Sequence, residues 1–133
     1  MSAMEETNLV MAKILSLAME NGVRHWDLEF DDLELDAKYG TYFYPCVEWL
    51  EYEGMIRVGH YSRTMGGIAN GSVDNVALTS LGMSVLGREI EAIEGKETLS
   101  ETVQKVSEGK VDYHRIGDAI GGLIGGAIKS MGS

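Results

Sequence analysis

Asn70-Gly71 restricts this chain more than any other pair of residues, because it falls between two strand-like runs, 55–61 and 72–79, and both of its positions accept positive φ. The spacing predicts a β-hairpin closed by a two-residue turn. An isolated hairpin is marginal in water and needs an apolar surface to lie on. The residues just before it supply one: Phe43, Cys46, Val47 and Leu50 share one face of a helix running from Thr41 to its stop at Gly54. Pro45 is tolerated there because the amides of a helix's first turn have no helical partner.

Further helices are expected on both sides. Val10, Ile14, Leu17 and Ala18 form one stripe of a helix over 4–21, with Ser2 and Glu5 spaced as a capping box and Gly22 as its stop. Trp26, Phe30, Leu33 and Ala37 follow an i, i+4, i+7, i+11 rhythm and predict a short second helix, although Leu28, Phe30 and the Leu33/Leu35 alternation would also suit a strand. Beyond the hairpin, Thr79 is placed to cap a helix whose buried stripe is Val85, Leu86, Ile90 and Ile93 and whose end is Gly95. Thr98-x-x-Glu101 then opens a helix with Leu99, Val103 and Val106 on one face, stopped near Gly109. The expected fold class is α+β and mostly helical: three helices, a β-hairpin and following helices. At 133 residues and 44% hydrophobic content the chain can bury one core without staples. We expect that domain over 1–95, with a helical, Gly-rich C-terminal extension over 96–133.

This order, with Gly40-Thr41, then Tyr44-Pro45-Cys46-Val47-Glu48-Trp49-Leu50-Glu51-Tyr52-Glu53-Gly54-Met55-Ile56, and later Leu78-Thr79-Ser80-Leu81-Gly82, resembles the winged-helix transcriptional regulators of the PadR type. That family typically shows Gly-Thr-Leu-Tyr-Pro, an apolar pair, Leu-Glu-x-Glu-Gly-Leu-Ile, a wing, and Leu-Thr-x-x-Gly. The step from Pro45 to Gly54 matches without a gap, and the resemblance covers residues 40–82. It implies a winged helix whose third helix enters the major groove while the wing, here with Arg57 and Arg63, meets phosphates. Two departures stand out. One residue is inserted between Thr41 and Tyr44-Pro45, and the outward positions where the family offers Arg or Lys hold Glu48, Trp49 and Tyr52.

Charge weighs against DNA. The chain carries 21 acidic and 11 basic side chains, a net charge of −10, and residues 1–60 hold twelve of the acids against four bases. Helix 42–53 contains no cation, whereas DNA binders draw affinity from Lys and Arg neutralising phosphates. Anionic membrane surfaces are disfavoured for the same reason, and no apolar run approaches the ~20 residues of a spanning helix. One cysteine and no basic-then-apolar leader give secretion no support, so a cytoplasmic location is expected.

No catalytic signature emerges. Cys46 falls on the inward face of its helix, and His25, His60 and His114 lie at no motif spacing, so an enzyme is not expected and neither is a cofactor. The block 27–36 holds six carboxylates in ten residues but fails the calcium-loop pattern, with Asp32 at the position of Gly and Lys38 at that of Glu, and reads as a solvated face rather than a metal site. Asn70-Gly71-Ser72 matches a glycosylation acceptor only formally, and the turn explains it. What remains is binding. Tyr44, Glu48, Trp49 and Tyr52 form a candidate interaction surface, suited to a protein partner that is basic if charged. Gly117, Gly121 and Gly125 recur at small-xxx-small spacing and are candidates for an oligomer or tail contact, so a homodimer is expected. The functional expectation is a non-enzymatic protein-interaction or regulatory module. The alternatives are a PadR-like DNA-binding regulator using Arg57 and Arg63, and a membrane-surface effector acting through the Gly-rich tail.

Overall fold

A computed structural model describes residues 2–92, 95–111 and 115–131. Helix α1 (Ala3–Asn21) starts where the Ser2 hydroxyl accepts the Glu5 amide and ends where the Gly22 amide donates to the Ala18 carbonyl, as the capping residues predict. Its buried stripe includes Val10, Ile14, Leu15 and Ala18, and the core is built around it.

The expected second helix does not form. Trp26–Leu28 is a strand, β1, followed by two 3-10 turns, Phe30–Leu33 and Ala37–Tyr42. The strand alternative therefore holds for the first three residues. The physical reason is twofold. A continuous helix would stack Asp27 on Asp31 and Asp32 on Asp36 at i, i+4, where like charges repel. Extended backbone at 26–28 instead finds hydrogen-bond partners on a distant strand, and Glu34 at φ 54 separates the two turns. Helix α2 (Phe43–Tyr52) follows the second turn directly, so it begins two residues later than Thr41, with Phe43, Cys46, Val47 and Leu50 all buried.

Next come β2 (Ile56–Arg57), β3 (His60–Arg63) and β4 (Gly71–Leu78). β4 is central: it pairs antiparallel with β1 along one edge and with β2 and β3 along the other. Opposite β1 it carries a bulge, since Trp26 faces Val76 while Leu28 faces Val73. Asn75, at φ 55, occupies the bulge, and its amide is capped by the Asp27 carboxylate at 3.0 Å. The hairpin is present, but its turn is longer than the expected two residues: Arg63 already pairs with Gly71, and residues 64–70 make the connection. Asn70 donates its side-chain amide to Thr64 Oγ1 at 2.7 Å, closing that loop from within. Gly71 opens β4 at φ 99, where a Cβ would collide with the Ser62 carbonyl, so glycine is required by the strand pairing rather than by a tight turn.

Thr79 caps α3 (Ser80–Leu86), but this helix is half its expected length. Glu89–Ala92 is β5, paired with β6 (Gly95–Thr98). In the run Glu89-Ile90-Glu91-Ala92 exposure alternates with partial burial, a period of two that outcompetes the helical stripe once Gly87 has ended α3. Ile93 lies outside the described residues. Helix α4 (Leu99–Ser107) begins in a complete capping box between Thr98 and Glu101, with Leu99, Val103 and Val106 buried as expected. It packs along α1, where Ser16 Oγ donates to Gln104 Oε1 at 3.1 Å. Helix α5 (Ile116–Met131) sets Ile116, Ile120 and Ile124 into the same core. The fold is α+β, with five helices and small antiparallel sheets among the described residues.

Candidate functional site

The period of α2 divides its side chains cleanly. Phe43, Val47 and Leu50 face α1 and the sheet, while Glu48 and Tyr52 face solvent and Trp49 lies half-buried at the edge of the core. Tyr52 is 89% exposed, a large apolar ring with little cover.

Tyr44 does not belong to this surface. Only 1% exposed, it donates its hydroxyl to the Asn70 carbonyl at 2.8 Å and packs its ring edge-on to Phe43. The Arg63 guanidinium lies 4.2 Å from its ring centroid, within cation–π range. Burial raises the hydroxyl's pKa against the opposing pull of Arg63. The correction has a simple cause: the loop 64–70 returns over α2 and takes Tyr44 as its anchor. Tyr61 adds a second link, donating to Glu51 Oε1 at 2.8 Å, and its own pKa is raised by burial first and by that hydrogen bond second.

The two arginines of the DNA alternative are not brought together as a pair of free cations. Arg57 is exposed on β2 opposite Ala77. Arg63 is occupied by Tyr44, and its Nη1 stands 3.8 Å from Glu48 Oε1. Both members of that ion pair are more than half exposed, so it contributes little to stability. It nevertheless places a carboxylate beside the Arg63 guanidinium.

The acidic block is used locally. Asp27 caps Asn75, Asp32 accepts the Glu29 amide at 2.8 Å, and Asp36 accepts the Lys38 amide at 3.0 Å. Among the described residues no three His, Cys, Asp or Glu side chains are grouped so as to hold a metal ion. Cys46 is buried against the Thr7 carbonyl, 3.7 Å away, and burial pushes its thiol up to about 12, which keeps it protonated at neutral pH. His25 and His60 are exposed, and His114 lies outside the described residues.

The tail docks by a different face from the one its glycines suggest. Ile116, Ile120 and Ile124, at i, i+4, i+8, enter the core, and the Gly117 amide donates to Asn8 Oδ1 at 3.2 Å. A Cβ added at Gly117, Gly121 or Gly125 would touch nothing, so these residues make no close approach to this chain's own body. The isoleucine spacing was readable in the sequence and is the stronger packing signal.

Sequence reasoning also missed a groove of about 400 Å³ between α1, α2 and the start of α5. Met4, Thr7, Asn8 and Met11 form its α1 wall, and Pro45, Cys46 and Trp49 of α2, with Tyr42 at the end of the preceding 3-10 turn, the opposite wall. Each set follows i, i+3, i+4, i+7 spacing, a stripe that borders the core and shares Met11 and Cys46 with it. No helix among the described residues is long and apolar enough to cross a membrane. No protein-family model, curated protein or solved structure matches the chain.

Proposed function

We propose that the chain is a non-enzymatic winged-helix module that binds protein, with the exposed face of α2 as an interaction element. Support for the winged-helix reading comes from α2 leading directly into the hairpin and from β4, which joins β1 to the strands preceding the loop 64–70, with 3-10 turns standing where the second helix was expected. Its resemblance to PadR-type regulators over 40–82 rests on the residues quoted above. The observation that carries the functional reading is the composition of that face: Glu48 and Tyr52 exposed, Trp49 half-exposed, and no Lys or Arg anywhere from 42 to 53. In the groove of a duplex such a helix releases no counterions and meets phosphate repulsion. Against a protein surface, Trp and Tyr bury much area at small entropic cost.

The test is a mobility-shift titration against pooled duplex fragments at physiological salt. The wild-type chain is expected not to shift them, whereas Glu48→Arg combined with Tyr52→Arg, both at exposed positions, should produce salt-sensitive and largely non-specific binding. Sub-micromolar binding by the wild type, falling steeply with salt, would replace this reading with that of a DNA-binding regulator.

The same proposal includes self-association through α5, whose Gly121, Gly122 and Gly125 are exposed. Because a Cβ there meets open space, Gly121→Ile with Gly125→Ile should leave the monomer fold intact and disrupt only a contact with a second copy. Sedimentation that shows a wild-type dimer and a monomeric variant of unchanged helicity is the expected result. An unchanged oligomeric state removes the tail from the interface.

A further inference from the structure

We infer that the groove between α1, α2 and α5 is the site at which this module receives a partner, and that its occupant is one basic amphipathic helix of another protein. The inference rests on the reading of the chain as a protein-binding module. Three observations carry it. The first is shape: the groove's two walls are helical stripes, and its volume of about 400 Å³ suits a few large apolar side chains. A helix presenting anchors at i, i+3, i+4 and i+7 fills a cleft of this kind by ridge-into-groove packing.

The second is chemistry. Met4, Met11, Pro45 and Trp49 make the surface mainly apolar, and three of its polar side chains, Thr7, Asn8 and Cys46, are engaged within the chain. Asn8 donates to the Met4 carbonyl at 2.7 Å and accepts from the Gly117 amide; Thr7 donates to the Ala3 carbonyl at 2.7 Å; the Cys46 thiol faces the Thr7 carbonyl. An entering side chain meets few groups that demand hydrogen bonds. Methionine walls also adapt to differently shaped anchors.

The third is charge. Asp118 lines the groove, and the Glu6 carboxylate, near the lining Tyr42, raises that tyrosine's pKa. Glu53 continues the stripe of Trp49 at i+4. No lining residue is a cation, and the Arg115 guanidinium reaches Asp118 only at 4.0 Å with both side chains largely exposed. The rim therefore favours a partner with Lys or Arg flanking its apolar anchors, and disfavours an acidic one.

The probe is a labelled helical peptide of about fourteen residues, roughly four turns, with leucines on one face and lysines on the other. A scrambled peptide of the same composition, unable to gather its leucines, is the control. Fluorescence anisotropy with the full chain should show micromolar binding of the first and at least about tenfold weaker binding of the second. Met4→Lys, at a position 59% exposed and so compatible with folding, should weaken the first about tenfold, and Asp118→Asn by a smaller factor that shrinks with added salt. Met65→Ala, a fully exposed position on the loop 64–70 that does not line the groove, should leave it unchanged. Equal binding of the two peptides would reduce the attraction to charge alone and overturn the inference. So would no binding at about 100 µM peptide, or a wild-type homodimer dissolved by Met4→Lys, which would make a second copy the occupant. Loss confined to Tyr52→Ala would move the site to the outer face of α2, leaving the module reading standing and this inference refuted. The module reading itself fails separately, in the duplex titration.

Discussion

Gly82→Ala is expected to destabilise the chain by about 3 kcal/mol, the upper end of what overpacking costs, even though alanine favours helix over glycine by about 1 kcal/mol. The first turn of α3 rests directly on the turn that leaves α2. Thr79 donates its hydroxyl to the Gly54 carbonyl, accepts the Gly82 amide at 2.8 Å, and its own amide donates to the Met55 carbonyl at 3.1 Å. With α3 so seated, a Cβ on residue 82 would be driven into the Met55 carbonyl oxygen, which is backbone and has no room to rotate away. Relief requires lifting α3 and breaking the Thr79 bonds. Urea denaturation of the variant against the wild type measures the cost, and a variant more stable than the wild type would show that α3 does not sit on Met55. Here a residue that resembles a family signature, the glycine of Leu-Thr-x-x-Gly, has a purely steric reason.

Leu50→Ala is expected to cost about 2 to 5 kcal/mol. Its side chain is fully buried on the inward face of α2, in the cluster that joins α1, the sheet and α4. Removing it takes apolar atoms out of a packed interior and leaves a hole that its neighbours fill only in part. Tyr52→Ala, two residues along the same helix, should stay within about half a kcal/mol. A Leu50→Ala cost below about half a kcal/mol would mean that α2 is turned about its axis relative to the structure described, and the exposed face would need reassignment with it. The pair of measurements thus checks the orientation on which the proposed interaction element depends.

What could be read from the sequence was whatever a single segment decides for itself. The Ser2 cap of α1, the buried stripe of α2 and the Thr98–Glu101 box of α4 all depend on neighbours within one or two helical turns, and all are found. Trp26 to Leu28 could not be settled that way, because its partners are Val76 and Val73, far along the chain. The local period favoured a helix, and the distant strand won. Residues 89–92 repeat the lesson, since their pairing with β6 overrides a helical spacing. The outward positions of Glu48 and Tyr52 were legible from the period of α2 alone. Tyr44 was misassigned because its cover comes from a loop twenty-odd residues later, and no property of its own helix announces that. The groove escaped notice for a related reason: Met4, Met11 and Trp49 each resemble ordinary core flank, and only the docking of α5 at Gly117 and Asp118 closes one end of the space between them.

β4 has a consequence for how the chain is made. β1, β2 and β3 have no bonds to one another in the sheet, and each takes its partner from residues 71–78. During synthesis these three segments emerge first and have no edge to pair with until that single later strand is delivered. Up to that point the nascent chain can hold only what its helices provide, and its unpaired strands are open to the contacts that cause aggregation. The same interval is covered by the stretch in which acidic side chains outnumber basic ones twelve to four, so neighbouring nascent chains repel while they wait. The acidity of the first half therefore acts before the fold exists as well as after it.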